Sequence, residues 1–450
     1  MKHPSLCRYL IIFFLIFVLA ASASAEKEQS SQKFLGERSR GLMVGVLQWQ
    51  DESLSPFSNK LRKDKELHEI LLSRGAKEEN LKLLLDKEAT LENIRQSLKE
   101  LVAASSADET FVFYYAGHGL KGEGGKFYFA NYDIQSDKPK ETGFCLDELV
   151  TALGDTFKGE RVVLLADCCY SGGLTEVAQK LAKKGKQVLA LTSAAASNAS
   201  TGNWTYSQTI IDGLRGALFA DVDGDGQITV YDLKDEVSRA MRYGERQRFG
   251  YAIFGLDEKL FINEAKDHGP KELIATWAKD RKYRPGDYLR VQEKADGRFV
   301  VARLMPGGTK EKVAVRVYEY NKNRHILIGK EQVEAITAKS YPKGSLIRVI
   351  WGSKEWDAKV LAVQDGFHWI TYPGWEAYWN EWVMDDRIVG LKSEMAKIKR
   401  CEVKWKDQWY KARVLRKEKG RYYIHYEDFD NSWDEWVGND RIRFPEGGTK

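Results

Sequence analysis

Unbroken apolar runs, not alternating ones, mark the first half of the chain. Gly41 to Trp49 (GLMVGVLQW), Leu81 to Asp86 (LKLLLD), the TFVFYY run beginning at Thr110, Lys126 to Asp133 (KFYFANYD), the RVVLLA run beginning at Arg161 and Gln187 to Ala194 (QVLALTSA) are short and mostly apolar, and all but the leucine-rich LKLLLD contain β-branched or aromatic residues. Runs of that kind predict strands buried on both faces. Between them, apolar residues recur at helical spacing over Leu61 to Ser73, Leu91 to Ala104, near Leu146 to Leu153 and over Leu174 to Lys184. Strands alternating with helices predict an α/β fold: a mostly parallel sheet with helices on both faces. Sites in such sheets form at the carboxyl ends of the strands.

Past Ile262 the pattern changes. Ala265 to Glu272 (AKDHGPKE) is a polar break with a Gly-Pro pair, and from about Arg284 short strands and turns predominate. Laying Trp351–Ile388 over Trp405–Ile442 needs no gap, at an offset of 405 − 351 = 54, and 14 of 38 positions are identical. A weaker copy precedes them over Gly286 to Tyr320, without the Trp-Glu-Trp signature. The expected units are residues 40–264, 283–338, 341–390 and 395–444.

The N-terminus has its own pattern. Lys2 and Arg8 precede an apolar run, Tyr9 to Ala21, that ends in ASASA. A basic start, a short apolar core and small residues before position 26 predict a signal peptide over residues 1–25 and a secreted or periplasmic mature protein. No later segment approaches the 18 apolar residues of a membrane span.

Composition sharpens two points. The net charge of +5 hides an asymmetry: residues 26–269 hold 32 Lys+Arg and 38 Asp+Glu, while residues 270–450 hold 36 and 27. Ten of the 13 tryptophans also lie at or after Trp351. An acidic front and a basic, aromatic back predict two parts with different partners. Four cysteines follow the leader, Cys145, Cys168, Cys169 and Cys401, too few for a disulfide framework. A reactive thiol fits that usage better.

Two of the predicted strands end in chemistry. FVFYYAGHG (Phe111 to Gly119) ends in a histidine between glycines, and RVVLLADCCYSGG (Arg161 to Gly173) ends in two adjacent cysteines. A thiol becomes a good nucleophile when a base stands beside it. Two parallel strands ending at one sheet edge would place His118 next to Cys168 or Cys169. These motifs resemble the His and Cys motifs of caspase-like cysteine peptidases, in particular the bacterial metacaspase type. The resemblance covers roughly Arg40 to Ile262, including GLMVGVLQW and the later FGYAIFG. It implies that Cys169 is the nucleophile, with Cys168 at the family's variable position, and that His118 organises the thiol proton. It implies oxyanion donors at the N–H groups of Gly119 and Cys169, and no third catalytic member is evident in the sequence. It also implies an endopeptidase that cleaves after Arg or Lys, with Asp167 in the pocket. Asp133 is a second candidate for substrate binding; an ordinary capping role is the alternative for both acids. No organic cofactor is expected.

DVDGDGQITVYD (Asp221 to Asp232) has the spacing of an EF-hand loop, flanked by helical patterns over Ser207 to Phe219 and Val230 to Met241. The expected Ca²⁺ ligands are Asp221, Asp223, Asp225, the carbonyl of Gln227, and Asp232. Asp232 stands where a bidentate Glu is usual. The tryptophan-rich repeats resemble Tudor or agenet-like small β-barrels. Such barrels carry aromatic clusters that cage methylated cations, or that simply fill a small core. Their basic charge suits a protein or anionic ligand, and export argues against nucleic acid. The leading expectation is thus a peptidase with barrels that dock or regulate it; the alternative is a non-catalytic scaffold of the same fold.

Overall fold

A computed structural model describes residues 34–444, except residues 61, 196–202, 267–272, 293–298, 320–321, 337–339, 352–353, 386, 394–399, 419, 428 and 430–432. The expected leader and the Gly-Pro break lie outside the described residues. No described helix is long and apolar enough to cross a membrane.

The front half is a six-stranded sheet. Its strands are β1 (Ser39–Gly45), β2 (Leu81–Leu85), β3 (Thr110–Ala116), β4 (Arg161–Asp167), β5 (Gln187–Thr192) and β6 (Gly250–Phe254), in the order β6-β5-β4-β3-β1-β2. All neighbours are parallel except β6, which runs antiparallel on the edge against β5. Every residue of β1 and β3 is buried, as their unbroken apolar runs require.

Helices α1 (Lys63–Ser73), α2 (Leu91–Ala103), α3 (Asp147–Thr151), α4 (Gly173–Lys183), α5 (Thr205–Arg215) and α6 (Val230–Gly244) cover both faces. One core joins Ile94 and Leu98 of α2, Leu149 of α3 and Val177 of α4 to Phe111, Phe113 and Tyr115. The other joins Leu67 of α1, Ile210 of α5 and Leu233 of α6 to Val112, Tyr114 and Val163. Successive side chains of β3 therefore feed opposite cores. Local chemistry sets the helix starts. Thr90 accepts from Asn93 N at the start of α2, and Thr229 forms a reciprocal capping box with Asp232 at the start of α6.

Two sequence expectations change. The strand expected over Lys126 to Asp133 is only Phe127–Phe129, in a separate small sheet with Gly119–Lys121 and Phe144–Cys145, because the chain folds back directly after His118. The helix expected near Leu146 to Leu153 is a short α-turn that continues into a π-turn over Ala152–Thr156.

The back half is three antiparallel five-stranded sheets of the Tudor-like barrel type. Their strands span Tyr288–Gln292 to Val333–Glu334, Leu346–Trp351 to Ile388–Leu391, and Arg400–Trp405 to Ile442–Arg443. The first barrel thus has all five strands despite lacking the tryptophan signature. Helix α6 and the residues just after it hold the first and middle barrels. Glu236 forms an ion pair with Arg303 of the first barrel, and neither side chain is more than 1% exposed. Arg242 pairs with Asp365 of the middle barrel at 2.6 Å, and the Trp382 N–H donates to the Arg246 carbonyl at 2.9 Å.

Candidate active site

The parallel pairing of β3 with β4 sets Ala116 opposite Asp167. The turns that follow, carrying His118 and Cys169, therefore leave the sheet side by side. Their approach is close: a Cβ on Gly119 would lie 1.8 Å from the Cys169 carbonyl oxygen. Only glycine fits there. Tyr170 takes a left-handed φ of +55°, a strain on the order of 1 kcal/mol that turns the chain sharply after Cys169. Ser171 Oγ pins that turn by accepting from Ala194 N at 3.1 Å.

His118 is held from three sides. The rings of Trp49 and Phe57 lie 4.5 and 4.6 Å from its own, and its Nε2 is 2.9 Å from the Ser55 carbonyl oxygen. A carbonyl only accepts, so Nε2 donates and the lone pair of the neutral ring sits on Nδ1. Burial lowers the His118 pKa from its usual value, with the Ser55 bond opposing, which keeps the ring neutral and basic at pH 7. Sequence reading missed Ser55 as this ring's partner, because a main-chain carbonyl carries no residue signature. The one local hint is Pro56, which fixes an extended loop.

The two thiols differ. Cys168 is 2% exposed and belongs to the core. Burial pushes its pKa well up, aided by the charges of Cys169 and Asp167. Cys169 is half-buried. The side chain of Asp167 is directed toward α5, where Ser207 Oγ donates to it at 2.7 Å and Ser207 N at 3.3 Å. It is 9% exposed, and burial raises its pKa to about 7 against the bonds from Ser207 and Ser193. Asp133 is placed elsewhere. Its Oδ1 accepts from Leu91 N at the start of α2 and from Asn131 Nδ2, the capping role that any aspartate at a helix start can take.

In the acidic loop, carboxylate oxygens of Asp221, Asp223 and Asp225 lie within 4.8 Å of one another. Asp223 titrates above its usual value: the bond from Asp225 N lowers it, but slight burial and the charges of Asp232, Asp225 and Asp221 outweigh that bond. Three converging oxygens suit a calcium ion. Asp232 fits less well, since both its oxygens already accept, from Val222 N and from Thr229 N and Oγ1. Gln227 sits in the short strand Gln227–Thr229, paired with Phe261–Glu264.

The middle and last barrels each carry a closed ring of four aromatics. Trp351, Trp356, Trp375 and Trp379 have neighbouring centroids 5.2 to 6.4 Å apart. At the 54-residue offset, Trp405, Tyr410, Phe429 and Trp433 repeat the ring at 5.4 to 6.1 Å. Trp351, Trp375, Trp379, Trp405 and Trp433 are 37 to 46% exposed, while Trp356, Tyr410 and Phe429 pack against the barrel cores.

Residues 59–252 match the family model for the caspase domain. The front half is a caspase-like α/β domain. Residues 396–444 match the Tudor-knot family, described as an RNA-binding-activity knot of a chromodomain. Metacaspase-6 of Arabidopsis thaliana is 32% identical over 114 residues, covering 24% of this chain and 31% of its own length. Metacaspase-4 of the same plant is 30% identical over 123 residues, covering 25% and 29%. The chain thus spans about a third of the length of these curated relatives. Among solved structures, caspase-1 of Spodoptera frugiperda is similar at 13% identity and a TM-score of 0.36, over 53% of this chain and 95% of that one. The caspase-like domain contains both turns, His118 and Cys169, within the matched residues.

Proposed function

We propose that this chain is an exported cysteine endopeptidase acting through His118 and Cys169. The adjacency of the two turns, with Gly119 pressed against Cys169, carries the reading. The Cys169 thiol gives its proton to Nδ1 of His118, and the sulfur attacks a peptide carbonyl carbon. The Ser55 carbonyl holds the ring and steadies the imidazolium. The N–H groups of Gly119 and Cys169 receive the developing oxyanion. The C–N bond breaks, the amine takes the proton from His118, and water then hydrolyses the thioester. Asp167 selects Arg or Lys, because a buried carboxylate and a cation each cost much when unpaired.

Asp221, Asp223 and Asp225, with the Gln227 carbonyl, bind Ca²⁺ in this reading. The exposed aromatic rings of the barrels take a methylated cation on a docking protein by cation–π attraction, while the basic charge of the back half favours anionic surfaces.

The test is hydrolysis of peptides ending in Arg, Lys, Asp or Gln by the purified chain, with and without Ca²⁺. Turnover after Arg and Lys that disappears in Cys169→Ala supports the reading; equal turnover of all four, or activity unchanged in Cys169→Ala, rejects it.

A further inference from the structure

A cavity of about 490 Å³ opens between the caspase-like domain and the middle barrel, large enough for several side chains of a bound ligand. Gly172, three residues beyond Cys169 on the same turn, lines it, and so does Trp382 of the middle barrel. The cavity therefore adjoins the turn that carries Cys169, and a different part of the chain contributes to its lining.

Its charged lining is mostly basic, with Lys234, Arg242 and Arg248 against Asp235. Lys234 is already paired with Glu258 at 2.5 Å. Arg242 is 2% exposed. It gives Nη1 to Ser238 and Nη2 to Asp365, but its Nε has no hydrogen-bond partner among the described residues. A buried guanidinium donor left unmet costs stability until an acceptor arrives. Arg248 is exposed, lies 5.8 Å over the Trp369 ring and makes no ion pair among the described residues. Its carbonyl accepts from Ala195 N, which ties it to the loop after β5 that also holds Ser171.

We propose that this seam is a subsite for an acidic side chain of the polypeptide substrate, read by Arg242 and Arg248 and walled by the middle barrel. The proposal rests on the peptidase reading of Cys169. Under it, the tail takes part in choosing the substrate: Asp167 reads a basic residue and the seam reads an acidic one at a fixed distance along the same peptide.

The test uses the full chain carrying Cys169→Ala, so that peptides bind without being cut. Fluorescent peptides with one Arg and a Glu placed in turn at each flanking position are compared with their Gln counterparts by anisotropy. One Glu position should tighten binding about tenfold, as a charge-assisted hydrogen bond allows. Arg248→Gln, at an exposed position that leaves the fold intact, should erase that gain, so that the Glu and Gln peptides bind alike. Equal binding of Glu and Gln peptides at every position, or a gain that survives Arg248→Gln, overturns the proposal. Hydrolysis by the native chain is read separately. A Glu gain without any turnover rejects the peptidase reading and still supports the seam as an acidic-peptide site.

Discussion

Asp167→Asn is expected to stabilise the protein at pH 8 while removing its preference for basic residues. The carboxyl titrates near 3.8 in an unfolded chain and at about 7 when folded. The folded state therefore keeps a proton that the unfolded state releases between those values. Native stability falls across that window by about 1.4 kcal/mol per pH unit, about 4 kcal/mol in all, and is constant below and above it. Between pH 5 and pH 8 the loss is about 2.5 kcal/mol by the same relation. At 9% exposure, solvent screens little of it. Asparagine has the same shape, keeps an acceptor for Ser207 Oγ and does not titrate. The stability difference between variant and native protein should therefore widen in the variant's favour by about 2.5 kcal/mol from pH 5 to pH 8, read by urea unfolding at both values. On the same samples, kcat/KM for an Arg peptide should fall more than about a hundredfold, since an unpaired buried cation costs about 3 to 5 kcal/mol. A pH-independent stability difference, or a variant that still prefers Arg over Gln, would refute the reasoning.

Four further outcomes follow from the geometry. Cys168→Ser should keep substantial peptidase activity and lower the melting temperature, because it places a hydroxyl in a core position that is 2% exposed; loss of activity with an unchanged melting temperature would reverse the assignment of the thiols. The acid limb of the pH–rate profile from His118 should lie below its usual 6.5, because burial favours the neutral ring; an acid limb above 6.5 assigned to His118 by its loss in a His118 variant would contradict this. Trp379→Ala and Trp433→Ala should each weaken binding of a trimethyl-lysine peptide by about tenfold while leaving thermal stability nearly unchanged, measured by calorimetry on the full chain. Glu236→Gln should destabilise the protein by several kcal/mol, on the order of 3 to 5, since it leaves Arg303 buried without its counter-charge; unfolding in denaturant reads this directly.

The sheet edge that carries His118 and Cys169 was legible because the physics is local. A strand buried on both faces must be an unbroken apolar run, so TFVFYY and RVVLLA declare themselves, and the glycine and polar residues after them mark where they stop. The barrel repeats were legible through their fixed 54-residue offset. What was hidden depends on partners distant in sequence. Ser55 acts through a carbonyl that every residue possesses. The hydrogen bonds that Asp133 makes at the start of α2, and its distance in sequence from that helix, could not be read from its own motif, whereas the box that Asp232 closes at the start of α6 is local. The seam cavity needed both the loop before β6 and a barrel more than a hundred residues later, and no periodicity announces such a meeting.

The buried pair of Glu236 and Arg303 has a consequence for how this chain is inherited and engineered. Each half holds a charge that only the other neutralises, so the barrels are not a detachable tag. Heating should melt the caspase-like domain and the first barrel in a single cooperative transition. A graft of a different tail would need its own arginine at the Arg303 position, and a lineage that lost the tail would have to remove the glutamate as well.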